Sequence, residues 1–222
     1  MKRVAAIHRW LGLALALVLL AWTATGLLFH LKPGWSGAYE MLDPARPDAT
    51  LDPATLQPIT AVVAGAGQGD HPPPVTDLSL STTTLGPVYR VGRAGAAPLL
   101  VDARTGARLS PLDAAAATAI ASDAASRATH PDRFGTVSGT TVTDDAITVD
   151  FAGGAHVRVS RHDGSLSQRG PDTDRIDRYY RWHYLQLTGN HTVDRILAAL
   201  AIAATWALVL LGLALFVARF RR

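Results

Sequence analysis

The sequence has no cysteine. Disulfides, thiolate metal centres, iron–sulfur ligation, thiol catalysis and covalent Cys-x-x-Cys-His haem attachment are therefore excluded, and any cofactor must be held by histidine, carboxylate or backbone. Ordinary enzyme signatures are missing too: there is no His-Glu-x-x-His, Walker or nucleophile-elbow pattern. "GAGQGD" at 65–70 imitates a dinucleotide fingerprint, but it lacks the third glycine and leads into "HPPP" where a helix would be needed. It reads as a loop, and no nucleotide or flavin site is expected.

Acidic residues are absent from both ends. All 18 lie between Glu40 and Asp194, whereas six of the 21 basic residues lie outside the segment Lys32 to Arg195. The middle thus carries a balance of −3 and the tips +6. The high isoelectric point comes from these tips and gives no reason to invoke nucleic acid.

Charge is also missing from two long apolar runs. Trp10 to Leu31 has no charged residue, with His30 as its strongly polar side chain, and Ile196 to Ala218 has no ionisable group. Each exceeds the roughly 20 residues needed to cross a bilayer core as a helix. A cleaved signal peptide is the competing reading of the first run, but the run is too long for an apolar signal core and "AWTATGLLFH" offers no clean cleavage site. Lys2, Arg3 and Arg9 flank one run and Arg219, Arg221 and Arg222 end the other, which predicts both termini in the cytoplasm of a bacterial inner membrane and an exported middle.

Residues 33–172 are rich in Pro, Gly, Thr and Asp. The clearest helix is expected at 111–128, with Ser110 as N-cap, Pro111 at the first helical position and Asp113 in the first turn. A shorter one is expected at Pro58 to Ala64. Strand-like runs follow each: "VYRV" and "PLLVD", then "AITVDF" and "AHVRVS". Residues 88–110 align with 146–167 at an offset of 58, matching Val91 with Val149, Gly95 with Gly153 and Thr105-Gly106 with Asp163-Gly164. This pattern predicts an internal duplication.

"LLVDARTGARLS" resembles the closing strand, turn and strand of a PepSY domain, and "SRHDGSLS" resembles a degenerate second copy. "IHRWLGLALALVLLAWTATGLL" and "RWHYLQLTGNHTVDRILAALAIAATWALVLLGLALF" are similar to the helices of PepSY-associated transmembrane proteins. The resemblance covers nearly the whole chain and describes a short, two-span member. It implies two transmembrane helices plus an exported α+β PepSY-like domain with two degenerate helix-strand repeats. The expected organisation is 1–32 for the first tip and span, 33–172 for the domain with repeats at about 55–110 and 111–168, 173–195 for an interfacial segment, and 196–222 for the second span and basic tail.

The histidines are the informative set. His71, His130, His156 and His162 fall in the middle region and read as surface or packing residues. His8, His30, His183 and His191 cluster at the membrane boundaries. His8 and His30 are 22 residues apart, which on a straight helix puts them within about 40° of one another and roughly 33 Å apart along the axis. The same stripe carries Gly12, Leu15, Leu19, Thr23 and Gly26. Close helix packing explains such a stripe; so does room for a flat macrocycle whose iron a histidine ligates. If the spans are antiparallel, His30 stands level with His183 or His191, the geometry of a non-covalent bis-histidine haem b. Asp194 either orients His191 or marks the start of the second helix. Arg175, Arg178 and Arg181 interleave with Tyr179, Tyr180, Trp182 and Tyr184, as an interfacial belt does; Arg178 and Arg181 are also the natural partners of haem propionates.

His8 has no second histidine at its own level on the chain. That predicts a homodimer in which two His8 rings share a cytoplasmic-side haem. What the resemblance implies agrees: a b-haem electron-transfer protein or reductase component, linked to reduction of ferric siderophores, drawing electrons from a quinol or cytoplasmic reductase and passing them to an exported acceptor. If it is an enzyme, it is an oxidoreductase. The other class of function is a non-catalytic membrane-anchored PepSY module that regulates a periplasmic protease or an envelope complex.

Overall fold

The computed structural model describes residues 2–66 and 73–220. His71, most of "GAGQGD" and the tail arginines Arg221 and Arg222 lie outside the described residues. In chain order the elements are α1 (Lys2–Leu31), α2 (Trp35–Ala38), α3 (Ile59–Ala66), β1 (Val75–Thr83), β2 (Gly86–Arg93), β3 (Ala96–Asp102), α4 (Ala114–Ser126), β4 (Val137–Val142), β5 (Ala146–Phe151), β6 (His156–Ser160), β7 (Leu166–Arg169), α5 (Pro171–His183) and α6 (His191–Phe220). They form two compact units, one of Met1–Trp35 with Thr173–Arg222 and one of Ser36–Asp172.

In the first unit α1 and α6 are each 30 residues long and apolar enough to cross a membrane. At 1.5 Å per residue each is about 45 Å long, more than the hydrocarbon core requires. α1 stops where Lys32 turns left-handed (φ +45°), its N–H still bonded to Leu28 O at 2.8 Å, and Pro33 cannot continue the helix. The two helices pack antiparallel, and the covered positions include a seam at 8, 12, 15, 19, 22, 26 and 29 on α1 and 194, 198, 201, 205, 208, 212 and 215 on α6, flanked by further covered positions such as Leu11, Val18, Thr25, Ala204 and Leu211. Steps of four and three give a period of 3.5, the seam of a left-handed supercoil.

The segment expected as interfacial, 173–195, is largely helical. α5 ends in a Schellman turn: Gln186 N donates to Arg181 O at 2.7 Å and Leu185 N to Trp182 O at 3.2 Å, with Leu185 at φ +55°. Asn190 then caps α6, its Oδ1 accepting from the N–H groups of Thr192 and Val193. Asp194 takes the second of its two expected roles. Its buried Oδ1 accepts from Leu187 N, Thr188 N and Thr188 Oγ1 at 2.8–3.1 Å, which closes the α5–α6 loop and leaves it no bond to His191.

The second unit holds two antiparallel meanders, β1-β2-β3 and β4-β5-β6-β7, each preceded by a helix. The offset of 58 holds in their hydrogen bonding. Tyr89 pairs with Val101 and Val91 with Leu99, as Ile147 pairs with Val159 and Val149 with Val157. The closing turns match as well: Gly106 N donates to Asp102 O and Asp102 N to Ala107 O, as Gly164 N donates to Ser160 O and Ser160 N to Ser165 O. Gly106 and Gly164 both take positive φ, +74° and +67°, which suits glycine. The hairpin tips differ. Gly95 is left-handed, but in the second copy Gly154 is left-handed and Gly153 is not, because a bulge between Val91 and Arg93 shifts the first hairpin.

The helix expected from residue 111 begins three residues later. Asp113 is the N-cap, its side chain accepting from Ala116 N at 2.8 Å. Ser110 is buried in the core and its Oγ accepts from Leu100 N, while the Ser110–Pro111 peptide is cis, so neither opens the helix. Sheet β1–β3 is covered on both faces. Tyr89, Val91, Leu99 and Val101 pack with Val62 of α3, while Val88 and Leu100 turn the other way into a larger core. That core holds Ile120 and Ala121 of α4, Ile147 and Val149 of β5, Val157 and Val159 of β6, and Phe134.

Candidate functional site

Two of the four boundary histidines are seated inside the helical unit. His8 lies on the α1 seam, where Nδ1 sits 3.1 Å from the backbone oxygen of Leu208 on α6. A carbonyl can only accept, so Nδ1 carries the proton and Nε2 holds the lone pair of the neutral ring. Glycine makes the seat. A Cβ at Gly212 would stand 3.0 Å from His8 Cε1, closer than ordinary packing allows. One turn further along α1, Gly12 admits Leu208, whose Cδ1 lies 3.5 Å from where a Cβ would be. Both contacts follow from the 3.5-residue seam, which brings 8 and 12 of one helix to 208 and 212 of the other.

His183 occupies the corresponding seat near the other end. It is the last residue of α5, and its Nδ1 lies 2.9 Å from Thr25 Oγ1. The Thr25 hydroxyl is committed to the carbonyl oxygen of Ala21 at 2.7 Å, so the His183 ring donates from Nδ1 and Nε2 again keeps its lone pair. The backbone oxygen of His183, one of the helix-end carbonyls without an intrahelical partner, accepts from the Trp22 indole. Aromatic rings enclose the imidazole: Phe29 edge-on at 4.8 Å, Tyr184 edge-on at 5.4 Å and Trp22 at 6.1 Å. Phe29 stacks in turn on Tyr180 at 4.6 Å. Gly26 lies beside the ring, where an added Cβ would meet its Cε1 at an ordinary 3.9 Å.

His30 and His191 are exposed. They stand at the same end of the antiparallel pair, but the shared stripe expected for His8 and His30 does not form. The expectation used the straight-helix period. With a seam of 3.5 residues, position 30 drifts to roughly 100° from position 8 and Phe29 takes the place on the seam. Thr23 is displaced likewise: it is exposed and its Oγ1 donates to Leu19 O of its own helix, while Trp22 and Thr25 face inward. Arg175, Arg178 and Arg181 are exposed on α5.

Thr25, Trp22, Leu208 and Gly212 carry no mark in the sequence as partners of histidine, because each contact is 158 to 204 residues distant in the chain. Gly26 was legible as a small residue beside a ring, whereas Gly12 faces Leu208 and not a ring. Of the middle-region histidines, His156 Nδ1 pairs with Asp150 at 2.6 Å across β5–β6, His162 lies 3.7 Å from Asp145, and His130 rests on Gly37. Among the described residues no group of three or more His, Asp or Glu side chains forms a conventional metal cage. What the helical unit offers is single imidazoles, each fixed in one tautomer. Such rings suit a planar metallocofactor whose equatorial positions are already filled.

No curated protein and no solved structure matches the chain. The family model described as "PepSY-associated TM region" matches residues 5–222. The chain is therefore a membrane protein belonging to the PepSY-associated transmembrane family.

Proposed function

We propose that the chain is a b-type haem protein of the bacterial inner membrane, passing electrons from a quinol or cytoplasmic reductase to an acceptor on the exported side, with ferric siderophores as one class of acceptor. The observation that carries this reading is the matched state of His8 and His183. Each ring is pinned through Nδ1 by an oxygen of another helix, so each presents Nε2 as a ligand atom. Haem iron bound there would supply one-electron transfer. Thr25 and Leu208 act as acceptors that fix ring orientation and raise ligand basicity.

The two seats are separated by the 17 residues between His8 and Thr25, about 26 Å along α1. One therefore lies near each face of the bilayer, as a transmembrane relay requires. Each seat offers one imidazole, and a second axial ligand must come from elsewhere. His30 and His191 are exposed at the His183 end. At the His8 end a second chain would bring its own His8, so the reading includes a homodimer. Exposed Arg178 and Arg181 would take propionates, and the middle unit, as a PepSY-like pair of repeats, would face the periplasm.

A reduced-minus-oxidised absorption spectrum of the full chain, purified after expression with ample haem, tests the reading. A Soret band with sharp α and β bands is expected. A colourless chain would overturn it and leave the membrane-anchored regulatory module as the better account.

A further inference from the structure

The second meander of the middle unit has one bare strand edge. Thr143 N donates to Ala146 O at 2.9 Å and Thr141 pairs with Thr148, so these residues turn their backbone groups toward β5. Strand residues alternate, and Thr140 and Val142 of β4 therefore point their N–H and C=O groups away from the sheet. Two of the other edges are dressed. Ala107 and Leu109 bond Asp102 and Leu100 along the outside of β3, and Arg46 N donates to Thr82 O on β1. Among the described residues no backbone pairs with the outer edge of β4. Its sequence, "VSGTTV", has neither proline nor charge, the devices that ordinarily keep an edge strand from accepting another.

The face beside that edge is shaped as well. Val137, Thr140 and Val142 pair with the buried Phe151, Val149 and Ile147, so they share the α4 side of the sheet, and Val137 and Val142 remain 39% and 53% exposed. Where β4 begins, a cleft of about 470 Å³ opens between it and the second half of α4. Ala125, Phe134, Val137 and Phe151 give it apolar walls, and among the described residues Asp132 is its one ionisable group. At the far end of β4 the turn carries Asp144 and Asp145. Arg161 bonds the carbonyls of Thr143 and Asp144 there, His162 stands near Asp145, and Arg133 is taken up by Asp172. These cations offset only part of the three carboxylates, so the edge stays net negative.

We infer that the β4 edge is a docking site for an extended basic segment of a partner protein. The segment adds as a strand beside β4, lays an apolar side chain over Val137 and the cleft, and sets Lys or Arg near Asp132 and near the Asp144–Asp145 turn. A row of free N–H and C=O groups is satisfied only by another extended backbone, so the edge fixes the partner's conformation and the carboxylates fix the sign of its ends. A second copy of β4 is the poorer occupant. Antiparallel self-pairing through the outward groups, Thr140 on Thr140 or Thr140 on Val142, brings Thr143 or Asp145 of the copy opposite Val137, and neither is an apolar side chain for the cleft. The site is independent of the histidine seats, so it stands whether or not the chain holds haem.

The test uses a fluorescein-labelled, amidated peptide, Lys-Val-Thr-Val-Thr-Val-Lys, read by fluorescence anisotropy with the full chain in phosphatidylcholine nanodiscs and empty nanodiscs as blank. The expected result is saturable binding specific to the protein, weaker when Glu replaces both Lys and lost when every backbone nitrogen of the peptide is methylated. The Thr140 N–H takes no part in the β4–β5 ladder, so T140P removes a donor and blocks the edge without breaking the sheet, and should weaken binding by roughly tenfold or more. Asp132 is exposed, and D132N should weaken binding several-fold, which reads the site even where T140P disturbs folding. No protein-dependent binding, as when a second copy already fills the edge, would overturn the assignment. So would equal binding of the methylated peptide, or unchanged binding to either T140P or D132N.

Discussion

A histidine in an apolar helix is ambiguous until the partner of each ring nitrogen is known. For His183 that partner is Thr25, so Thr25→Val, nearly isosteric, removes the acceptor without opening a cavity. The expected outcome is at least tenfold weaker haem retention in a titration of the purified chain. Thr23→Val is the control: its hydroxyl serves only the backbone of its own helix, and the variant should bind as the parent does. At the other seat a larger side chain at residue 212 would push the His8 ring aside. A second residue-scale effect concerns acid. Burial alone would raise the Asp163 carboxyl, but hydrogen bonds from Ser160 and Ser165 and the charge of Arg90 outweigh it and hold it below its ordinary value of 3.8. A lowered folded value means that the stabilisation is fully present above pH 3.8 and is lost as pH falls below it. Thermal melts of the full chain against pH should therefore show an acid limb below that point, and Asp163→Asn should be less stable at neutral pH with a flatter limb.

At the scale of elements, the duplicated meander was legible because paired inner strands write themselves as β-branched alternation and their turns as T-G and D-G. The outer strands were not. β1 reads "VTDLSLSTT" and β4 "VSGTTV", hydroxyl-rich segments with exposed edges whose pairing depends on their neighbours. The spans were legible as hydrophobic runs, but their facing residues were not, since a shift from 3.6 to 3.5 residues per turn moves His30 off the seam. Tertiary contact also fixes glycines that look interchangeable. A Cβ on Gly153 would lie 2.2 Å from the backbone oxygen of Arg133, whereas one on Gly139 would meet Asp150 at an ordinary 3.5 Å. Gly153→Ala should therefore cost about 1–3 kcal/mol in denaturation, and Gly139→Ala much less. Arg133 itself ties the ends of the middle unit together. It holds Asp172 through two bonds and Gln168 through a third, and Gln168 Nε2 reaches the carbonyls of Ala38 and Glu40 at 3.1 and 2.9 Å. Arg133→Met breaks this network and should lower stability by roughly 2–3 kcal/mol.

For the whole molecule, the two-helix arrangement sets the central question. α1 and α6 bury one narrow seam against each other and expose most of their apolar surface, as lipid-facing helices do. Two helices cannot enclose a macrocycle, whereas two copies make a four-helix bundle that can. The proposed His8 haem therefore requires dimerisation. Mass measurement in mild detergent should find a dimer, and a monomer with undiminished haem would contradict the shared site. The most direct test of the account is the haem-to-chain ratio, measured as the pyridine haemochrome, in the parent, His8→Ala, His183→Ala and the double variant. Each single substitution should remove the haem of one seat and the double variant should be haem-free, with His156→Ala unchanged. A double variant that keeps the parent's haem would contradict the claim that these two anchored imidazoles are the ligands.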